Sequence, residues 1–157
     1  MAMPAAPRTT TLKRPRTDAV AMAGRLRLSA TRLARILRRH ADTGLSPSQL
    51  SALATVEHHG PLTLGALAEH EKVAPPSITK VVNKLEGAGL VRRQTSPADG
   101  RVALVSLTAD GEGLLAESRQ RKNEWLAERI SLLDADQRAR LAEALDVLDA
   151  VVSQEQP

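Results

Sequence analysis

The stretch Val73-Ala74-Pro75-Pro76-Ser77-Ile78-Thr79-Lys80-Val81-Val82-Asn83-Lys84-Leu85-Glu86 decides the fold. It opens on a proline pair. Proline suits the first turn of a helix, where a missing N–H is no loss. Ile78, Val81, Val82 and Leu85 then recur at helical spacing along one face. Pro76, Lys80, Asn83 and Lys84 lie opposite, with Ser77 and Thr79 on the flanks, and no acid precedes Glu86 in this stretch. A helix is predicted over 75–88, apolar on one side and cationic on the other, with Gly89 fit for the left-handed residue that stops it. Such a pattern ordinarily means an amphipathic surface helix. Its neighbours give it another meaning.

Upstream, Thr63 starts a short helix over 64–71, with Leu64, Leu67 and Ala68 inward, and Lys72-Val73-Ala74 makes a tight turn. Two helices joined in this way form a helix-turn-helix. Downstream, segments 90–95 and 101–107 are short and rich in β-branched and apolar residues. Between them lies Ser96-Pro97-Ala98-Asp99-Gly100, a turn composition. That is a β-hairpin carrying Arg92, Arg93 and Arg101. Helix, turn, cationic helix and basic hairpin in this order predict a winged helix-turn-helix over about 62–107.

The flanks read as helices. Ser46-Pro47-Ser48-Gln49 joins an N-cap, a first-turn proline and the Gln of a capping box. Leu26, Ala30, Leu33 and Leu37 form one stripe within a helix over 18–41. Thr108 caps a helix over about 109–131, and Asp134 starts the last one. There Leu141, Leu145, Leu148 and Val152 repeat the stripe of the first helix. The expected organisation is a basic extended arm over 1–17, an N-terminal helix over 18–45, a winged DNA-binding lobe over 46–107 and C-terminal helices over 108–157, the apolar stripes of the end helices packing within one chain or against a second copy. The fold class is mainly α, in the α+β sense of helices with one small sheet.

Charge points the same way. Residues 1–101 hold sixteen Lys and Arg against seven Asp and Glu, a net of +9, whereas residues 102–157 are net −5. Asymmetry of this kind suggests a polyanionic partner for one part of the molecule. With one Trp, no Phe and no Tyr, the chain lacks the aromatic platforms that read single strands by stacking. Duplex DNA, read through phosphates and groove edges, needs none. The absence of Cys excludes disulfides and thiolate metal sites. No apolar run approaches the ~18 residues of a membrane span. A cytoplasmic protein is expected.

In this frame Lys and Arg neutralise phosphates. Thr79, Lys80 and Asn83 face base edges, where Asn suits adenine and Lys suits guanine. Ser77, near the helix N-terminus, donates to a phosphate with help from the helix dipole. Arg92 and Arg93 reach the backbone or minor groove, and Arg101 at the hairpin tip suits a narrow minor groove.

Taken together, the run Leu67-Ala68-Glu69, the stretch from Val73 to Glu86, Gly89-Leu90-Val91-Arg92-Arg93, Asp99-Gly100-Arg101, Leu104-Val105, Leu107-Thr108 and Gly111 resembles the MarR family of regulators. The resemblance is continuous over about 62–113. It implies a homodimer whose terminal helices form a shared lobe and whose two winged lobes enter successive major grooves. For the wing it implies that Asp99 steadies the loop and Arg101 enters the minor groove. For the recognition helix it implies roles for Pro76, Ser77, Thr79, Lys80, Asn83 and Lys84. The dimer helices would contribute Leu26, Leu33, Leu141, Leu145, Leu148 and Val152. A two-fold dimer implies a pseudo-palindromic operator with half-sites about 10 bp apart. Two positions depart from the pattern. Ala74 stands where Ser or Thr usually caps, a loss of typically ~1 kcal/mol. Lys80 stands where Arg is common, so a point charge replaces a bidentate fork.

Many members of that family bind small aromatic or lipophilic ligands between the two lobes, and here that region would draw on Leu37, His40, Leu53, Val56 and Trp125. No cofactor is expected. No catalytic site is expected either, since neither a nucleophile elbow nor a P-loop nor a dinucleotide fingerprint occurs. His58, His59 and His70 lack metal-binding spacing, and adjacent histidines on a helix are expected to point apart, so no metal site is assigned. The expected function is a ligand-responsive repressor. The alternative is a winged-helix protein for nonspecific DNA coating or protein contacts.

Overall fold

The computed structural model describes residues 15–97 and 99–153. Its elements follow in the order α1 (Pro15–His40), α2 (Pro47–His59), β1 (Leu62–Thr63), α3 (Leu64–His70), α4 (Pro75–Gly87), β2 (Val91–Thr95), β3 (Ala103–Leu107), α5 (Ala109–Ser131) and α6 (Ala135–Ser153). The helix expected from residue 18 begins at Pro15 instead, because proline is tolerated in a first turn. The rest of the expected basic arm, residues 1–14, lies outside the described residues.

Two units are distinguished, one ending at Ile36 and one beginning at Leu37. In the first, Leu26 and Leu33 are exposed along α1, and the Thr31 hydroxyl donates to the Arg27 carbonyl at 2.8 Å. The second unit holds the rest of the described chain. Leu115 of α5 joins Leu53 and Val56 of α2, Leu67 of α3, Ile78, Val82 and Leu85 of α4, and Val91 and Val105 of the sheet in one buried cluster. Burying each such side chain contributes roughly 1.5–3 kcal/mol.

Local chemistry sets the helix starts. Ser46 and Gln49 form the reciprocal capping box, with Gln49 N–H donating to Ser46 Oγ at 3.3 Å and Ser46 N–H donating to Gln49 Oε1 at 2.9 Å. Thr63 accepts from Ala66 N–H at 3.1 Å, and Asp134 accepts from Gln137 N–H at 2.7 Å. At the end of α4, Gly89 has φ of 73°, and Leu90 N–H reaches back to the Leu85 carbonyl at 3.0 Å. This is the left-handed stop expected of glycine there.

The three strands lie in the order β1-β3-β2, all antiparallel. β2 and β3 are the expected hairpin, pairing Val91 with Leu107 and Thr95 with Ala103. β1 was not expected. Leu62 and Thr63 pair with Val105 and Leu104 before Thr63 turns to cap α3. Two residues are too short for any periodicity, so only the neighbouring strand makes them one. α6 has no buried residue, and Leu141, Leu145 and Val152 are exposed; Leu148 is half-buried.

Candidate nucleic-acid interface

The cationic helix α4 is seated by its apolar face. Ile78, Val82 and Leu85 are buried and Val81 is half-buried, which turns Pro76, Ser77, Lys80, Asn83 and Lys84 outward, all exposed. Lys80 and Lys84 make no ion pair among the described residues. Thr79 is half-buried, and its hydroxyl donates to the Pro75 carbonyl at 2.8 Å. Its proton is therefore spent inside the helix, leaving oxygen lone pairs and a methyl for a partner.

The start of α4 corrects two expectations. Ala74 provides no side-chain cap, as anticipated. The loss is nevertheless smaller than the usual cost. A cap serves the N–H groups of the second and third helical residues. Here the first two helical positions are Pro75 and Pro76, which have no N–H. The third, Ser77 N–H, donates to the Ala74 carbonyl at 2.9 Å, and Ile78 N–H reaches the same oxygen at 3.3 Å. This first turn presents no free backbone donor, so the dipole-assisted phosphate seat expected at Ser77 lacks its amides. The Ser77 hydroxyl remains.

In the wing, Asp99 Oδ1 accepts from the backbone N–H of Arg101 at 3.0 Å, and Val102 N–H donates to the Asp99 carbonyl at 3.0 Å. The carboxylate thus replaces part of a turn's own hydrogen bonding. The Arg101 side chain is exposed at the tip, free of hydrogen bonds and ion pairs among the described residues.

Arg92 and Arg93 are not placed together, because successive residues of a strand face opposite sides. Arg93 turns to α4, where its Nη2 donates to Asn83 Oδ1 at 2.6 Å and its Nη1 lies 3.2 Å from Glu86 Oε2. Arg92 turns the other way and donates through Nε to Ser106 Oγ at 3.2 Å. It lines a cavity of about 600 Å³ with Val56, Glu57, Glu112 and Arg119. Across that cavity Arg119 forms a bidentate pair with Glu57, at 2.6 and 3.0 Å. The hydrogen bond to Glu57 holds the guanidinium above its ordinary pKa. Neither Glu86 nor the Glu57–Arg119 pair was singled out from the sequence. An (i, i+3) carboxylate behind Asn83 was visible, but the strand residue that joins them was not.

The five residues expected around an effector fall in different surroundings: Val56 lines the cavity beside Arg92, and His40 and Trp125 line another. Leu53 and Val56 belong to the buried core, and Leu37 is half-buried. His40 stacks on Trp125 with ring centroids 5.0 Å apart, and Arg129 lies 4.7 Å over the indole. The indole N–H is buried without an acceptor among the described residues. The histidines also differ from expectation. His58 and His59 meet edge to face at 4.8 Å, and His59 stacks on His70 at 4.1 Å. Because α2 ends beside α3, tertiary packing joins rings that helix geometry alone would separate. Desolvation, then the charges of His70 and His58, lower the His59 pKa. Among the described residues no group of three or more His, Cys, Asp or Glu is arranged to hold a metal ion, and no helix is long and apolar enough to cross a membrane.

A two-helix motif with a cationic second helix, flanked by a three-stranded wing, defines a winged helix-turn-helix DNA-binding protein. A model of the MarR family matches residues 45–103. The chain is 44% identical over 128 residues to an uncharacterized HTH-type transcriptional regulator of Mycobacterium leprae, covering 81% of this chain and 90% of that protein. It is 42% identical over 134 residues to an HTH-type transcriptional regulator of Mycobacterium tuberculosis, covering 85% and 94%. The solved structure of a MarR family protein from Bacillus stearothermophilus superimposes with a TM-score of 0.73 at 23% identity, covering 88% and 98% of the two chains, and supports the fold. The chain belongs to the MarR family of DNA-binding transcriptional regulators. These relatives are regulators, not enzymes.

Proposed function

We propose that the chain is a homodimeric, sequence-specific repressor of bacterial genes. It binds a pseudo-palindromic operator in double-stranded DNA and is released by a small lipophilic or aromatic effector in the cytoplasm. The observation that carries this reading is that Lys80 and Lys84 on the exposed face of α4, and Arg101 at the wing tip, meet no carboxylate among the described residues. Arg93, Arg119, Arg121, Arg129 and Arg140, by contrast, each meet a carboxylate. Cations held free of acids can exchange counterions for phosphates. Repression follows by occlusion, the dimer covering promoter DNA that polymerase needs.

Two further observations support the finer parts. The exposed leucines and valines of α6, and those of α1, offer apolar area that a second copy can cover. The stacked His40 and Trp125, with an indole N–H lacking an acceptor among the described residues, suit an aromatic ligand carrying an acceptor oxygen. Trp125 is the single tryptophan, so its fluorescence reports such binding directly in titrations with lipophilic aromatic acids.

Footprinting on the DNA flanking the chain's own gene tests the central reading. A discrete palindromic footprint, weakened by Lys80→Ala and Arg101→Ala, is expected. Equal affinity for all duplexes, falling only with salt, would replace it with nonspecific coating.

A further inference from the structure

We propose that Arg93 is a positioning residue for base recognition: it fixes the side-chain amide of Asn83 and does not serve as a phosphate-binding cation. The proposal rests on the sequence-specific reading above. It starts from a limitation of Asn as a reader. Its amide carries an acceptor oxygen on one side and a donor NH2 on the other, and a free amide can present either. A major-groove contact to adenine needs both, in one orientation.

Arg93 removes that freedom. A guanidinium has only donors, so it can face the amide oxygen and never the NH2. With Nη2 donating to Asn83 Oδ1 at 2.6 Å, the flipped amide would set donor against donor. Nη1 meanwhile lies 3.2 Å from Glu86 Oε2. Asn83 and Glu86 are three residues apart and share one face of α4. One planar fork from β2 thus engages two side chains of the helix, which fixes its own rotamer as well as the amide's. The amide oxygen keeps its second lone pair, and the NH2 keeps its protons, so the donor–acceptor pair that suits adenine remains available. The charge of Arg93 is matched by Glu86, whereas Lys80, Lys84 and Arg101 have no such partner among the described residues.

A phosphate contact and a positioning contact differ in two measurable ways. Losing a phosphate contact weakens binding to every sequence and lowers the salt slope by about 0.9 per contact. Losing a positioning contact relaxes preference at one base pair and leaves the slope alone. The clamp also makes Asn83 and Arg93 act as one unit, so their substitutions should not add.

The test selects duplexes from a randomised pool with the full-length protein, then measures Kd by fluorescence anisotropy for the selected duplex and its single-base variants at several salt concentrations. Asn83→Ala and Arg93→Ala are expected to lose discrimination at the same base pair, by about 5- to 150-fold. The double variant should lose no more than either single one. Arg93→Lys, which keeps the charge but not the fork, should behave like Arg93→Ala, and in both the salt slope should match wild type. In the free protein, ¹⁵N relaxation of the Asn83 NH2 should be as restricted as the α4 backbone and loosen in Arg93→Ala. The proposal is overturned if Arg93→Ala weakens all duplexes evenly with a shallower slope, or if Arg93→Lys keeps full discrimination. A wild-type pool that enriches no sequence overturns the underlying reading and the proposal with it, a result distinct from either.

Discussion

Replacing Gly111 with alanine isolates one contact on which the joint between wing and α5 depends. Gly111 is buried in the first turn of α5, and its N–H donates to the capping Thr108 Oγ1 at 3.1 Å. Two further bonds pull this turn against the end of α4 and the start of β2. Thr108 N–H donates to the Leu90 carbonyl at 3.1 Å, and the Thr108 hydroxyl donates to the Gly89 carbonyl at 2.6 Å. A Cβ added at Gly111 would stand 2.1 Å from Leu90 O, 3.1 Å from Leu90 C and 3.2 Å from Leu107 Cδ2. The first distance is short of van der Waals contact by roughly 1 Å, against backbone that cannot rotate away, so α5 must shift. A shift of that size breaks the Thr108–Leu90 bond and leaves buried polar groups, at about 1–3 kcal/mol. Overpacking adds about 1–3 kcal/mol. Alanine returns about 1 kcal/mol of helix propensity. The expected net loss is about 1–5 kcal/mol. Gly113 is the control: it lies in the same helix, exposed, with nothing within 4 Å of a built Cβ. Gly113→Ala should therefore stabilise, by up to about 1 kcal/mol. Urea unfolding followed by circular dichroism, at one fixed protein concentration because association shifts apparent stability, reads both signs. A Gly111→Ala protein as stable as Gly113→Ala would refute the reasoning, since propensity would then govern both positions.

Three other outcomes are expected. Lys84→Ala should lower the slope of log K against log salt by about 1.8 for a dimer, about 0.9 for each protomer's lost phosphate contact; an unchanged slope would remove Lys84 from the interface. His59, held below its ordinary pKa by desolvation and by His70 and His58, takes up protons more readily when unfolded. Its contribution to stability is present above about pH 6.5 and is lost as pH falls through the lowered folded value. Thermal melts across this window should show less acid loss in His59→Gln than in wild type, and parallel curves would argue against the assignment. In the proposed homodimer, Leu145→Asp on the exposed apolar face of α6 should shift equilibrium sedimentation toward monomer without reducing helix content; an unshifted dimer would place the contact elsewhere.

Much of the molecule could be read from local pattern. The helix starts at Ser46, Thr63, Thr108 and Asp134 follow from side chains that bond the backbone donor three residues on, so they are written in the sequence itself. The same holds for the stop at Gly89, the Asp99 turn and the face of α4 that carries Lys80, Asn83 and Lys84. Each depends on neighbours within one turn or one hairpin. The uncapped Ala74 was equally visible, although its consequence needed the two prolines after it to be weighed as missing donors.

What only the tertiary structure decided are the relations between elements far apart in the chain. Strand alternation sends Arg92 and Arg93 to opposite sides, but only the packing of β2 on α4 delivers Arg93 to Asn83 and Glu86. Only the approach of α2 to α3 stacks His59 on His70, and only β3 makes a strand of Leu62 and Thr63. Leu53 and Val56 are buried in the core because α5 and the sheet close over α2, and Val56 also borders the cavity that Arg92 lines. Periodicity tells which way a side chain faces on its own helix or strand. What stands opposite depends on contacts across long loops of chain, and no local spacing encodes those.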